Sequence, residues 1–316
     1  MKQSGLRHNR VIRAVIASLI SEKQEPAVPL QPKTLRVTKY SPTFALINSF
    51  GIMNIKALFF DIDGTLVSFR THRIPQSTVD ALRQAKAGGT RIFISTGRPV
   101  PFINNLGQIS DLIDGYITTN GALCFVGSKR VSLHEMLRTD VEAILQKCRD
   151  VDCSCVVVGT EGIAIFNHED VVDEQFRRGL GLNDFSFAPL SEVLGGPILQ
   201  VSPFLTAPQE AELMPTLTAC TSGRWSPAFT DITHVDADKG KGLLAMAAYL
   251  DLNIDETMAF GDGGNDISIL RRAGIGVAMG NAGDDVKRIA DYVTADVDSD
   301  GISRAISRLL QSDTDA

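Results

Sequence analysis

The chain has 316 residues, 44% of them hydrophobic and 22% charged, with a formal net charge of −6 at pH 7. That balance excludes a disordered chain and argues against a basic nucleic-acid groove, and no apolar run is long enough to span a membrane. The five cysteines (Cys124, Cys148, Cys153, Cys155 and Cys220) are odd in number and lack Cys-x-x-Cys spacing. They point to reduced thiols in a cytoplasmic protein rather than to a disulfide framework or a zinc site.

Residues 1–53 carry eight basic side chains (Lys2, Arg7, Arg10, Arg13, Lys23, Lys33, Arg36 and Lys39) against Glu22 and Glu25, a local charge of +6 that leaves −12 for the rest. The apolar stretch 11–20 is interrupted by Arg13, and no small-x-small cleavage pattern follows it, so it does not read as a secretion signal. Pro26, Pro29 and Pro32 break up what comes next, and Met53 stands just before the first strand. Residues 1–52 are read as an N-terminal extension with no assigned function.

Residues 57–60, Ala-Leu-Phe-Phe, form a short apolar run before a Gly-Thr turn, the pattern of a parallel strand buried on both faces. Runs at 91–95, 116–119 and 257–260 each stop at a polar or glycine-containing turn, and helical patterns such as 77–87 lie between the early ones. This alternation predicts an α/β fold with a doubly wound parallel sheet. After Asn120-Gly121 the rhythm changes: 156–158 with 162–166 reads as a hairpin, 170–179 as a helix and 197–205 as another strand. These elements predict an inserted α+β domain of about a hundred residues. The α/β alternation resumes around Val235-Asp236 with a helix from Lys239. The expected division is a core of 53–132 and 235–316, split by a cap at 133–234.

Four polar clusters fall at the ends of predicted core strands or at the start of the helix after the insert. Asp61-Ile-Asp63-Gly64-Thr65 follows the first strand. Two carboxylates so placed repel and lose hydration unless a cation or a shared proton offsets them. Taken alone, the stretch also reads as a polar turn. Ser95-Thr96-Gly97-Arg98 offers a hydroxyl and backbone amides at a turn, a natural phosphate cradle. Asp238-Lys239-Gly240-Lys241-Gly242 sets a lysine at a helix start, and Gly261-Asp262-Gly263-Gly264-Asn265-Asp266 is a glycine loop with two more carboxylates. Each cluster is weak by itself; the four in this order are a strong signal.

DxDGTL, then TGR, then an isolated Lys, then GDGGNDISIL resembles the four motifs of the haloacid dehalogenase (HAD) phosphohydrolases. The long insert and GDGGND resemble the Cof-type subgroup with a class IIB cap, and TLVSF, ISTGRP, DGYITTNGA and GRWSPAF resemble its bacterial hexose-phosphate phosphatases. The resemblance implies a HAD-like Rossmannoid core and a magnesium-dependent phosphatase acting on small phosphate esters, most of all hexose or other sugar phosphates. In that reading Asp61 is the nucleophile that becomes an aspartyl-phosphate, and Asp63 is the general acid and base. Mg²⁺ would be held by Asp61, Asp262 and the backbone carbonyl of Asp63, with Asp266 on a metal water. Thr96 and Lys239 would bind the phosphoryl oxygens, Asn265 would orient Lys239 or the phosphate, and Arg98 would contact substrate unless it is a surface charge at a helix start.

Other readings are weighed beside this one. A pyridoxal-phosphate or flavin-mononucleotide phosphatase, or a phosphomutase or phosphotransferase, would share the same chemistry. A receiver-like binding module would share the aspartates, magnesium and lysine but has no need of a hundred-residue insert. Asp296-x-Asp298-x-Asp300-Gly301 imitates the start of a calcium loop, yet its twelfth position is Ser307. Gly274-x-Gly276 imitates a dinucleotide loop, yet its strand follows the first glycines instead of preceding them. Arg224-Trp225 reads as cap core or pocket lining, and His72 and His234 as structural or exposed. No oligomeric state is assigned.

Overall fold

The structure, a computed structural model, describes residues 54–310 apart from 161, 179–184 and 225. The N-terminal extension, Met53 and Trp225 lie outside the described residues. No helix among the described residues is long and apolar enough to cross a membrane.

The first sheet is built from β1 (Ala57–Phe60), β2 (Arg91–Ser95), β3 (Ile113–Thr118), β4 (Leu123–Val126) and β5 (Lys129–Leu133). The second takes β6 (Cys155–Gly159), β7 (Ile163–Phe166), β8 (Ile198–Pro203), β9 (Cys220–Gly223) and β10 (Asp231–His234); the chain then returns to the first sheet with β11 (Thr257–Gly261), β12 (Ile275–Ala278) and β13 (Tyr292–Val293). The first sheet has eight strands in the order β13-β12-β11-β1-β2-β3-β4-β5. From β13 to β3 the pairings are parallel, and β4 and β5 add to the edge antiparallel. The chain leaves β1 toward β2 and later returns to its other side with β11, so the switch point lies between β1 and β11, where open α/β sheets bind ligands.

Each face of this sheet is covered. Along β1, Leu58 and Phe60 pack with Val79 and Leu82 of the helix Gln76–Ala87 and with Ile302 and Ile306 of the helix Gly301–Leu310. Ala57 and Phe59 face the other way, against Leu243 and Met246 of the helix Lys239–Tyr249 and Ile269 and Leu270 of the helix Ile267–Arg272. Burial on both sides explains why these strands read as unbroken apolar runs. Stacked rings tie the central strands, Phe59 on Phe93 at 4.8 Å and Phe60 on Phe260 at 4.7 Å between centroids.

The second sheet has five strands, β7-β6-β8-β10-β9, with antiparallel pairings throughout. Its Cys155, Val157, Val201 and Ile232 pack under the helix Arg138–Asp150 through Val141, Ile144 and Leu145. Val156 and Val158, on the opposite face, join Phe176, Leu199 and Phe229 against Val100, Phe102 and Phe125 of the first sheet's loops and edge. Period-2 alternation in β6 thus divides a helix-covered face from one turned toward the core.

Three elements differ from the sequence reading. The strand expected at 116–119 runs from Ile113 to Thr118, and Thr119, at φ 51°, already belongs to the turn into β4. The antiparallel pair β4–β5, not anticipated, extends the core sheet, because the Thr119-Asn120-Gly121 turn reverses the chain within a few residues. The helix expected at 170–179 is helical from Asp170 to Arg178 but changes from an α turn at Asp170–Val172 to a π-helix at Asp173–Arg178, with Val172 and Phe176 in the same apolar cluster; residue 179 lies outside the described residues.

Asp140 closes the cap's helix onto β9. It is buried, and its carboxylate accepts from the backbone N–H groups of Thr218 (2.9 Å) and Ala219 (3.0 Å) and from the Cys220 thiol (3.3 Å). Burial alone would raise this carboxyl, but the amide donors outweigh it and hold it below the usual range. The stabilisation is therefore present above the unfolded carboxyl's pKa and is lost as pH falls through the lower folded value. Asp140→Asn should cost about 1–3 kcal/mol in urea unfolding at pH 7. The gap from wild type should narrow below about pH 4; a gap unchanged between pH 7 and pH 3 would contradict this account.

Candidate active site

The first, third and fourth motifs meet at the switch point. Lys239 is the first residue of its helix and is 1% exposed. Its Nζ donates to Asp61 Oδ1 at 2.7 Å and to Asp266 Oδ1 at 2.6 Å. Burial works against the ammonium, but Asp266 and Asp61 outweigh that cost and raise its pKa, so the lysine is charged. Burial likewise pushes the Asp61 carboxyl well above its usual range, opposed by Lys239 and assisted by Asp266 and Asp63.

Asp266 also organises the loop it ends. Its Oδ2 accepts from the backbone N–H groups of Asp262 (3.1 Å) and Gly263 (3.0 Å), and any Cβ at Gly261 would overlap the Asp266 side chain. Asp262 is in turn aimed by Thr65, whose hydroxyl donates to Oδ1 at 2.9 Å, and by Asn281, whose amide donates to Oδ2 at 3.2 Å and to the Gly64 carbonyl at 2.9 Å. Burial pushes the Asp262 carboxyl up to about 6, with the Thr65 bond pulling the other way. Gly64 has φ +82°, and a Cβ there would collide with the Asp262 carboxylate, so glycine is required for both reasons.

The second motif meets the first through an ion pair. Arg98 Nε and Nη2 each donate at 2.7 Å to the two oxygens of Asp63, and Nη1 donates to the Phe102 carbonyl at 2.9 Å. Arg98 is thus neither a free surface charge nor an open anion site in this state; it clamps Asp63. Thr96 is buried, with its hydroxyl accepting from the Arg98 N–H at 3.1 Å and its carbonyl from the Asn120 N–H at 3.1 Å. Asn265 donates to Asn120 Oδ1 at 3.0 Å and does not orient Lys239, which Asp61 and Asp266 already hold.

Three further residues belong to this constellation: Thr65, Asn120 and Asn281. Thr65 and Asn120 lie inside quoted motifs, and Asn120's φ of 53° is the conformation that an Asn-Gly turn favours. Asn281 carries no local signal, since only folding brings it to Gly64. Several decoys find structural partners. Asp298 pairs with Arg70 at 3.0 Å, Asp300 accepts from Ser77, and Gly276 lies inside β12. Arg224 pairs with Glu210 at 2.7 Å and donates to the Leu205 and Pro227 carbonyls, which makes it a brace within the cap. His72 is exposed and His234 half-buried.

Carboxylate oxygens of Asp61, Asp262 and Asp266 lie within 4.8 Å of one another. Three acidic groups against one buried ammonium leave the pocket short of positive charge, and the donors are all hard oxygens. The set therefore fits a divalent cation that prefers oxygen ligands.

The haloacid dehalogenase-like hydrolase family model matches residues 58–306. The chain belongs to that family. It is 47% identical to the solved structure of BT4131, described as a HAD subclass IIB sugar phosphatase, with a TM-score of 0.75 over 80% of this chain and 98% of that one. To BT1666 from Bacteroides thetaiotaomicron, described among phosphatases of the superfamily, it is 33% identical, with a TM-score of 0.72 over 82% and 96%. The 5-amino-6-(5-phospho-D-ribitylamino)uracil phosphatase YcsE of Bacillus subtilis is 27% identical over 80% of this chain and 95% of its own length. This HAD hydrolase is accordingly a phosphatase with a class IIB type of cap.

The central lysine gives a direct test. Lys239→Met leaves Asp61 and Asp266 buried and facing each other, and should destabilise the chelator-treated protein by about 3–5 kcal/mol. Thermal melts should show an added divalent cation recovering more stability in the variant than in wild type. A variant as stable as wild type in chelator would contradict the arrangement.

Proposed function

We propose that this phosphatase is magnesium-dependent and hydrolyses small phosphate monoesters, sugar phosphates foremost, through an aspartyl-phosphate. The observation that carries the reading is the buried Lys239 held between Asp61 and Asp266, with Asp262 beside them at the β1/β11 switch point. Phosphate monoesters hydrolyse very slowly unaided, so a catalyst must place a nucleophile in line and neutralise the oxygens of the transferring group. Asp61, Asp262 and Asp266 are the residues that would hold Mg²⁺, together with the carbonyl of Asp63. When bound, the ion supplies the second positive charge that a phosphate dianion among carboxylates requires.

In this reading an Asp61 oxygen attacks phosphorus while the bond from phosphorus to the ester oxygen breaks. Asp63 delivers its proton to the departing alcohol. Water then attacks the phosphorus of the acyl phosphate, gives a proton to Asp63, and releases phosphate with Asp61 restored. Lys239 lessens repulsion between the incoming dianion and Asp61, and Thr96 with its loop amides cradles phosphoryl oxygens. The Arg98 clamp engages both oxygens of Asp63, so proton transfer requires the guanidinium to shift, and an anionic substrate is a suitable new partner for it.

The sugar-phosphate preference is supported by the subclass IIB neighbour at 47% identity. Among the described residues the cap's aromatic rings are largely spent on one another rather than left for a flat leaving group, since Phe176, Phe204 and Phe229 pack together and Phe185 packs on Phe102 and Phe187. Free thiols at all five cysteines accord with a cytoplasmic setting.

Asp61→Asn should reduce inorganic phosphate release by more than about a thousandfold while the protein stays folded. Asp63→Ala should slow hydrolysis of an alkyl phosphate more than that of an activated aryl phosphate, and equal losses would remove Asp63 as the acid. Among hexose and pentose phosphates, pyridoxal phosphate, flavin mononucleotide and nucleotides, kcat/KM should be highest for hexose 6-phosphates. A preference of roughly a hundredfold, about 2.7 kcal/mol, for a flat aromatic ester would overturn the substrate class and leave the mechanism standing.

A further inference from the structure

The second sheet is joined to the first by two crossings, 134–137 after β5 and 235–238 after β10. Both carry metal-ligating side chains. His134 opens the first crossing, His234 ends β10, and Asp236 lies in the second. The imidazoles face each other nearly parallel, 14° apart with centroids at 6.2 Å. One nitrogen from each ring and an Asp236 oxygen lie within 4.8 Å of one another.

The local electrostatics and backbone suit a ligand set. His234 Nδ1 is an acceptor, taking the Asp236 N–H at 3.0 Å, and stands 3.8 Å from Asp236 Oδ2. Lys241 engages Asp236 through the other oxygen, Oδ1, at 2.6 Å. His134 is half-buried beside the His234 ring. Backbone bonds from His134 N to Ala122 O (2.8 Å), Val235 N to Ala219 O (2.9 Å) and Ala237 N to His234 O (2.8 Å) fix the positions from which these side chains extend. A tetrahedral ion with bonds of about 2.0–2.2 Å holds its donors roughly 3.4 Å apart, so side-chain rotation by about an ångström suffices.

We propose that His134, His234 and Asp236 form a binding site for a divalent transition metal of the zinc class, separate from the carboxylate pocket, that pins the two crossings to each other. Two imidazoles and one carboxylate, with the remaining positions open to water, select zinc, nickel or copper over magnesium. An ion shared by both crossings restrains the second sheet's pivoting on the first, the motion by which a cap admits substrate and releases product. Occupancy therefore slows turnover without touching the carboxylate site. The binding claim stands apart from the proposed reaction, and only the effect on turnover rests on it.

The test is a calorimetric titration of the full chain with zinc chloride in excess magnesium, paralleled by cobalt(II) absorption as a report on nitrogen ligands. Wild type should bind one zinc ion per chain. His234→Asn and the double variant His134→Asn/His234→Asn should weaken that event by more than about a hundredfold, since even outer partners of metal ligands contribute about 10–100-fold. Melting curves without zinc establish that the variants are folded. Retention of the event in a folded double variant, or no binding by wild type at roughly 0.1 mM zinc, overturns the site. In phosphate-release assays with magnesium, His234→Asn should keep the basal rate and lose zinc inhibition. Equal zinc inhibition of both proteins would assign it to the carboxylate pocket and overturn the hinge effect, and the calorimetry is independent of whether any ester is hydrolysed.

Discussion

The structure turns on one ammonium group. Lys239 is buried, which no lysine tolerates without compensation, and its two carboxylate partners come from distant parts of the chain: Asp61 after β1 and Asp266 after β11. The contact exists only because the sheet places β11 beside β1 and because the chain, returning from the cap, begins its helix at that edge. Asp266 then spends its other oxygen on the amides of Asp262 and Gly263, so a single carboxylate anchors the lysine and shapes the loop that carries Asp262. Three carboxylates around one ammonium remain electrostatically incomplete, and this shortfall suits the pocket to a divalent cation with oxygen ligands.

A second interaction links the chemistry to the cap. Arg98 grips both oxygens of Asp63 and, through Nη1, the carbonyl of Phe102. The Phe102 ring lies 5.9 Å from Phe176 and 5.2 Å from Phe185, both on the cap side. The loop that fixes Asp63 is therefore also the loop against which the cap's aromatic cluster rests. Packing there is dense and apolar, so the cap's position and the state of the Arg98 clamp share one short stretch of backbone.

Much of the core was legible because its cues are local. Ala57 to Phe60 is an apolar run of strand length, and Asp61, Asp63, Thr96, Lys239, Asp262 and Asp266 each sit in a motif whose residue types and spacing already suggest phosphate chemistry. The cap was legible as an α+β insert, while its details were not. β9, Cys220-Thr-Ser-Gly, has no apolar alternation, because it is an edge strand held by pairing to β10 and by Asp140's grip on the turn before it. The helix near 170 was legible, but its widening to a π-helix at Asp173–Arg178 was not, because the apolar residues there are too sparse to distinguish one helical period from another.

Composition, strand-and-helix rhythm and the four motifs determined the fold class and the candidate chemistry, because hydrophobic periodicity and short-range turn geometry are properties of neighbours along the chain. The partnerships were decided in three dimensions. Arg98's engagement with Asp63, Asn265's with Asn120, and Asn281's arrival at Gly64 and Asp262 all span separations that no local pattern encodes. The same holds for His134 and His234, a hundred residues apart in sequence and face to face at the crossings, because only the closing of the cap's sheet returns β10 to the place where β5 departed.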